Sequence, residues 1–256
     1  QSFGNLFLAA MNGISSSFEE AVQRMREVLA VTGRVLPVTL EDINLCAELD
    51  DGYLIEGESN IGHHNSFHKG RIKRVFIKPG YAKPLDEVIT AINEADAVVL
   101  GPGSLYTSII PNLLVDGICD AINKSRAVKI YVCNIMTQPG ETDGYMVNDH
   151  LNALFSHSMP GLVDYCIVNN APIPKHLEKK YLQDGAEQVR DCGIDAVIPR
   201  VKIVKGDFAC VIKGLIRHDP LKLAEAVMNI VEEETCLKKR KLLGTGTGSM
   251  CGGCGV

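Results

Sequence analysis

The spacing of apolar positions changes character twice along the chain. Leu6, Phe7, Ala9, Ala10 and Met11 recur at helical intervals, and the pattern stops near Asn12-Gly13. Ser16 with Glu19, or Ser17 with Glu20, has the spacing of a capping box and predicts a second helix through about Leu29. Phe18, Val22, Met25, Val28 and Leu29 mark the face this helix would bury. The period then shortens. Val35, Val38, residues 46–49 and residues 54–56 read as short strands, with Asp51-Gly52 as a hairpin turn. Residues 71–77 read as a further strand, partly exposed, so that about residues 34–78 form an antiparallel addition.

From Pro84 onward the pattern alternates between helix and strand. Helices are predicted over 85–94, 118–123, 146–157 and 176–182. Between them lie the apolar strands 97–100, 128–133 and 164–168, with a late strand over 208–215. Asp219-Pro220 opens a last amphipathic helix to about Val231, with proline in its first turn. Buried strands alternating with helices predict βαβ units and a mainly parallel sheet. In such sheets ligands collect at the carboxyl ends of the strands.

Composition narrows the function classes. The 256 residues carry a net charge of −5, which argues against a nucleic-acid backbone as the main partner. No apolar run reaches the roughly 18–20 residues of a membrane span, and no secretory signal opens the chain. The nine cysteines sit mostly alone in apolar stretches, such as Cys133 and Cys166, and read as small buried hydrophobes. Residues 233–256, rich in glycine and threonine toward their end, read as a disordered tail beyond a domain of residues 1–232.

Two loops leave strand ends with unusual polar content. In the first, Gly101 and Gly103 would let backbone N–H groups approach an anion, and Ser104, Thr107 and Ser108 add hydroxyls. The same glycines also suit a tight strand-to-helix turn, and the sequence alone leaves both readings open. The loop is neither a G-x-G-x-x-G nor a Walker motif, so ATP-type phosphoryl transfer is not indicated. The second loop, 134–145, gathers Asn134, Thr137, Gln138, Glu141 and Asp143, which suits hydrogen bonding to sugar hydroxyls or ring amides. Asp143 reads as a helix starter and Glu141 as a solvated carboxylate. His63, His64 and His68 fall in one stretch with no carboxylate or cysteine beside them, and read as a solvated loop rather than a metal site. Cys251 and Cys254 have C-x-x-C spacing but no second pair, and residues 238–241 are a short basic run read as a solvated helix end.

The two loops also carry a resemblance. Residues 99–115, beginning Val99-Leu100-Gly101-Pro102-Gly103-Ser104, and residues 136–145, beginning Met136-Thr137-Gln138-Pro139-Gly140, closely resemble the YvcK-type gluconeogenesis factor family. That family is related to the CofD 2-phospho-L-lactate transferases. Shorter matches occur at residues 2–6, which include Asn5, and at 33–37, 57–59 and 71–76, so the resemblance covers about residues 1–232. It implies a Rossmann-like α/β three-layer sandwich, with a mainly parallel sheet and an added antiparallel segment. It further implies a preceding segment, of order 80–90 residues, with a G-G-G-T-G loop, the first parallel strands and, in the transferases, the carboxylate that holds Mg²⁺.

The function the resemblance implies is that of a cytoplasmic, non-enzymatic regulator. Such a protein binds a UDP-sugar of the UDP-N-acetylglucosamine type and supports cell-wall synthesis and cell shape during gluconeogenic growth. Tyr181 and Arg217 match positions associated with the nucleotide sugar, and a tyrosine face can stack on uracil while an arginine fork pairs with diphosphate. The resulting candidate binding set is Asn5, Gly101, Gly103, Ser104, Thr107, Ser108, Asn134, Thr137, Gln138, Tyr181 and Arg217, with no metal ligand and no cofactor assigned. The alternative is a CofD-like transferase moving phospholactate from a nucleotide diphosphate to a deazaflavin, for which Mg²⁺ would be required. A third reading is an inactive partial sheet whose exposed edge would favour association into a homo-oligomer.

Overall fold

The computed structural model describes residues 3–28, 33–191 and 200–244. Two helices come first, α1 (Phe3–Ile14) and α2 (Phe18–Val28). The cap of α2 splits the two expected boxes between them: Glu20 N–H donates to Ser17 Oγ at 3.1 Å, while the Glu20 carboxylate accepts from Ser16 N at 2.8 Å. Of the predicted stripe, Val22 is buried, Met25 is half-buried and Phe18 is exposed; Leu29 lies outside the described residues.

The antiparallel addition is a three-stranded sheet in the order β2-β1-β3, built from β1 (Asn44–Leu49), β2 (Leu54–Glu56) and β3 (Ile72–Lys78). Gly52 turns the β1–β2 hairpin at φ +85°. Val35 and Val38 are in no strand, which corrects the sequence reading there. The histidine stretch is a loop only at His68. His63 ends α3 (Glu58–His63), and His64 opens a short 3-10 turn through Ser66. His64 is buried, with its two ring nitrogens against the carbonyls of Ile61 (2.8 Å) and Gly70 (3.0 Å), so it is a packed core group. His68 pairs with Asp51 at 2.6 Å and stacks on Tyr53.

The second sheet is parallel throughout, in the order β4-β5-β6-β7. Its strands are β4 (Ala97–Leu100), β5 (Val128–Val132), β6 (Tyr165–Asn169) and β7 (Lys202–Gly206). The helices α4 (Asp86–Glu94), α5 (Ile110–Leu113), α6 (Ile118–Lys124), α7 (Val147–Ser156) and α8 (Lys175–Gln183) fall between strands. β7 did not show in the pattern, because Lys202 and Lys205 break its apolar run. The strand expected over 208–215 is instead a separate hairpin, β8 (Ala209–Ile212) and β9 (Leu215–His218), turned by Lys213 and Gly214 at positive φ.

Alternation along β5 explains the layering. Val128, Ile130 and Val132 pack on one face against Ile230, Leu223 and Val227 of α9 (Pro220–Gly244). Tyr131 and Cys133 point to the other face, into the large core with Leu151 and Leu154 of α7 and Ile110 of α5. The result is a three-layer α/β sandwich. β4 is the outermost strand among the described residues, and Val99 is 40% exposed, so this strand is less buried than its sequence suggests. The last helix passes the expected end at Val231 and the tail boundary at residue 233. Glu234 accepts from Tyr165 Oη (2.6 Å), and Lys238 donates to the Arg126 carbonyl (2.8 Å), which ties this part of the helix to the domain. The glycine-rich end and the C-x-x-C pair fall outside the described residues. Of the six described cysteines, Cys46, Cys133 and Cys166 are buried and Cys236 is exposed, so not all are core groups.

Candidate functional site

The loop after β4 is shaped by a glycine only a glycine can replace easily. Gly101 has φ +91°, and a Cβ there would meet Val132 O at 3.2 Å and Ile109 Cδ1 at 3.0 Å. The chain then winds through a π-helical turn, Leu105–Ile109, where the Ile109 N–H reaches back to Ser104 O at 3.0 Å. Such π turns are rare and concentrate at functional sites.

The loop after β5 is stitched to the first. Gln138 Nε2 donates to Ser104 Oγ at 2.8 Å, and Asn134 Nδ2 donates to Gly103 O at 3.0 Å. Asn134 Oδ1 is left buried without a partner. Thr137 is buried, and its Oγ1 accepts from the Glu187 N–H at 2.9 Å, so it holds the wall in place more than it faces a ligand. Asp143 accepts from Gly140 N (2.7 Å) and closes a turn; Asp149 is the residue that accepts from Met146 N at the start of α7.

These loops line a cavity of about 680 Å³ at the carboxyl ends of β4 and β5, within the range of small-molecule sites. The far wall comes from α8 and the β8–β9 hairpin. Tyr181 Oη accepts from Ile216 N at 3.0 Å, which anchors the hairpin to α8, and Arg217 donates from Nη1 to the Ile216 carbonyl at 3.2 Å. Arg217 is otherwise exposed, with most of its guanidinium donors unspent.

The cavity therefore brings together Gly103, Ser104, Asn134, Thr137, Gln138, Tyr181 and Arg217 from the predicted set. Gly101, Thr107 and Ser108 are not in its lining. Gly101 and Ser108 border a smaller cavity of about 350 Å³ on the other side of the same loop. Asn5 lies in α1. Thr107 is turned away, and its Oγ1 donates to Glu141 Oε1 at 3.1 Å.

Glu141 was read as solvated and is not: it is 6% exposed, and its Oε2 has no hydrogen-bond partner. Burial pushes its carboxyl above the usual range, opposed by the Thr107 hydroxyl and the nearby N–H groups of Tyr106 and Thr107. Of this loop, Gly103 and Ser104 line the larger cavity, while the Thr107 hydroxyl faces Glu141.

His218 is a lining residue that sequence reasoning missed. Its Nε2 donates to the Cys133 carbonyl at 3.2 Å, so the neutral ring keeps Nδ1 as an acceptor, and burial lowers its pKa. No local motif marks it, because its place depends on the hairpin folding back over β5. No carboxylate lines the cavity among the described residues, so these residues do not by themselves fit a magnesium ion, which wants carboxylate oxygens. Among the described residues no helix is by itself long and apolar enough to cross a membrane.

Comparison with known proteins agrees with this architecture. Residues 1–209 match the family model described as "2-phospho-L-lactate transferase CofD". A protein of Thermoanaerobacterium thermosulfurigenes named "Putative gluconeogenesis factor" is 53% identical over 91% of this chain and 72% of its own length. A second of that name, from Clostridium acetobutylicum, is 48% identical over 94% of this chain but only 53% of its own length, so the chain spans about half of that relative. The crystal structure of protein BH3568 from Bacillus halodurans superposes with a TM-score of 0.82 at 42% identity, covering 89% of this chain and 72% of that one. The chain belongs to the CofD family, and shares it with the proteins named gluconeogenesis factors.

Proposed function

We propose that the cavity binds a nucleotide sugar of the UDP-N-acetylglucosamine type, and that the protein acts as a cytoplasmic, non-enzymatic gluconeogenesis factor supporting cell-wall synthesis and cell shape. The observation that carries this reading is the convergence of an arginine fork, an anchored tyrosine ring and a polar loop pair on one cavity of about 680 Å³. Arg217 suits a diphosphate, the Tyr181 ring offers a face for a base, and Gly103–Ser104 with Asn134 and Gln138 offer donors and acceptors for sugar or ring amide. The names of the relatives support the metabolic part of the reading.

Isothermal titration with UDP-N-acetylglucosamine is the test. One saturable site, competed by UDP and weakened at least tenfold in Arg217→Ala, is expected. No heat at millimolar ligand in folded protein overturns the reading. The description of the matching family model favours one alternative, phospholactyl transfer to a deazaflavin. Mass-spectrometric detection of that product, with Mg²⁺ and both substrates, would establish it instead.

A further inference from the structure

A second cavity, of about 300 Å³, lies at the opposite end of the parallel sheet from the one just described. Its rim is formed where β5, β6 and β7 begin, at Val128, Tyr165 and Lys202, and by α9. Among the described residues, five cationic side chains line it against two carboxylates, an excess of three positive charges in a chain whose net charge is −5. The carboxylates are spoken for. Asp164 accepts from the Lys129 backbone N–H (2.9 Å), and Glu234 accepts from Tyr165 Oη and from Lys202 Nζ (3.1 Å).

Two of the remaining cations are held by neutral groups. Lys129 Nζ donates to the Ser125 carbonyl and Lys238 Nζ to the adjoining Arg126 carbonyl, each at 2.8 Å. Two ammonium groups are thus drawn to consecutive carbonyls, in a lining that also includes Arg126 and Arg200. Like charges gathered at one site repel one another, and more strongly near a protein surface than in water. The end of α6 beneath them contributes only about half a negative charge. An arrangement that gathers cations, holds two of them on carbonyls and leaves them in excess is completed by a multivalent anion.

We propose that this cavity is a second binding site, separate from the nucleotide-sugar reading, that takes a small free oligophosphate: the di- or triphosphate group of a soluble molecule. The concave lining favours a compact ion over a flat lipid surface, and two guanidinium groups, Arg126 and Arg200, match phosphate oxygens in pairs. Ligand at this end of the sheet lies away from the loops after β4 and β5, so it would act beside the main cavity without competing for it.

Titration of the whole chain with tripolyphosphate at low salt, followed by calorimetry, tests the assignment. One site is expected, not displaced by UDP, unchanged in Arg217→Ala, and weakened at least tenfold in the Arg126→Glu/Arg200→Glu pair. Lys238→Gln, on an exposed helix face, gives a second, milder variant should the double change impair folding, and a several-fold loss is expected. Absence of binding, equal affinity in folded charge-reversed protein, or loss in Arg217→Ala overturns the proposal. So does binding to phosphatidylserine vesicles that tripolyphosphate fails to compete.

Discussion

The Thr107 hydroxyl donates to the buried Glu141 carboxylate at 3.1 Å, across the gap between the loop after β4 and the loop after β5. Because burial raises the Glu141 pKa, the folded state holds that proton more tightly than the unfolded chain does. Stability contributed by the protonated form is present at acid pH and is lost as pH rises through the raised folded pKa. Glu141→Gln should remove this slope while keeping an oxygen for Thr107. Thermal melts of both proteins across pH 4 to 7 (about the carboxylate window) check it; an unchanged slope in the variant counts against the burial argument.

His157 works in the opposite direction. Its Nδ1 donates to the Ala153 carbonyl at 2.7 Å and its Nε2 accepts from the Val75 N–H at 2.9 Å, which fixes a neutral ring. Burial lowers its pKa, so protonation on acidification must break the bond to β3. Stability from this residue is complete above the unfolded value of about 6.5 and falls as pH drops below it. In His157→Ala the buried Val75 N–H loses its partner at a cost of about 1–3 kcal/mol. Urea unfolding at neutral pH should show that loss, and the difference from wild type should shrink toward pH 5.

Gly101→Ala tests how firmly the first loop is specified. The left-handed φ, with contacts at 3.0 and 3.2 Å awaiting any Cβ, predicts a loss of about 1–3 kcal/mol. The neighbouring Gly103→Ala, where a Cβ would meet Ser108 Cβ at 3.3 Å and Ile109 Cγ1 at 3.7 Å and φ is not left-handed, should cost less. Chemical denaturation of the two variants side by side decides it, and equal losses would refute the conformational account.

Tyr181→Phe separates anchoring from stacking. The ring face stays, while the Ile216 N–H loses its acceptor, so a stability loss of about 0.5–1.5 kcal/mol is expected. If the ring face stacks on a base, UDP affinity should fall modestly in Tyr181→Phe and by more than tenfold in Tyr181→Ala. Equal affinities in both would assign the tyrosine to the hairpin alone.

The legible parts of the fold were those with one dominant local signal. The Asp51-Gly52 turn, the apolar runs of β5 and β6 and the proline start of α9 carry their structure in a few neighbouring residues. β7 was hidden because two lysines interrupt its pattern, and it is a strand through pairing with β6 rather than propensity. Ser104, Asn134 and Gln138 were legible as polar residues after strand ends. The burial of Glu141 and the arrival of His218 were not, since each depends on a partner far along the chain, Thr107 in one case and the Cys133 carbonyl in the other. The bond from Thr107 to Glu141 was hidden for the same reason, since its partner lies 34 residues away.

The β8–β9 hairpin pairs with no other sheet among the described residues, yet it supplies Ile212, Ile216, Arg217 and His218 to the cavity wall. Two-stranded hairpins are marginal by themselves, so this wall opens by local unfolding at lower free energy than the parallel sheet that forms the floor. Amide exchange in residues 209–218 should therefore outpace that in β5 and slow when ligand fills the cavity. Occupancy becomes readable from the backbone of one small hairpin, without any change in the core beneath it.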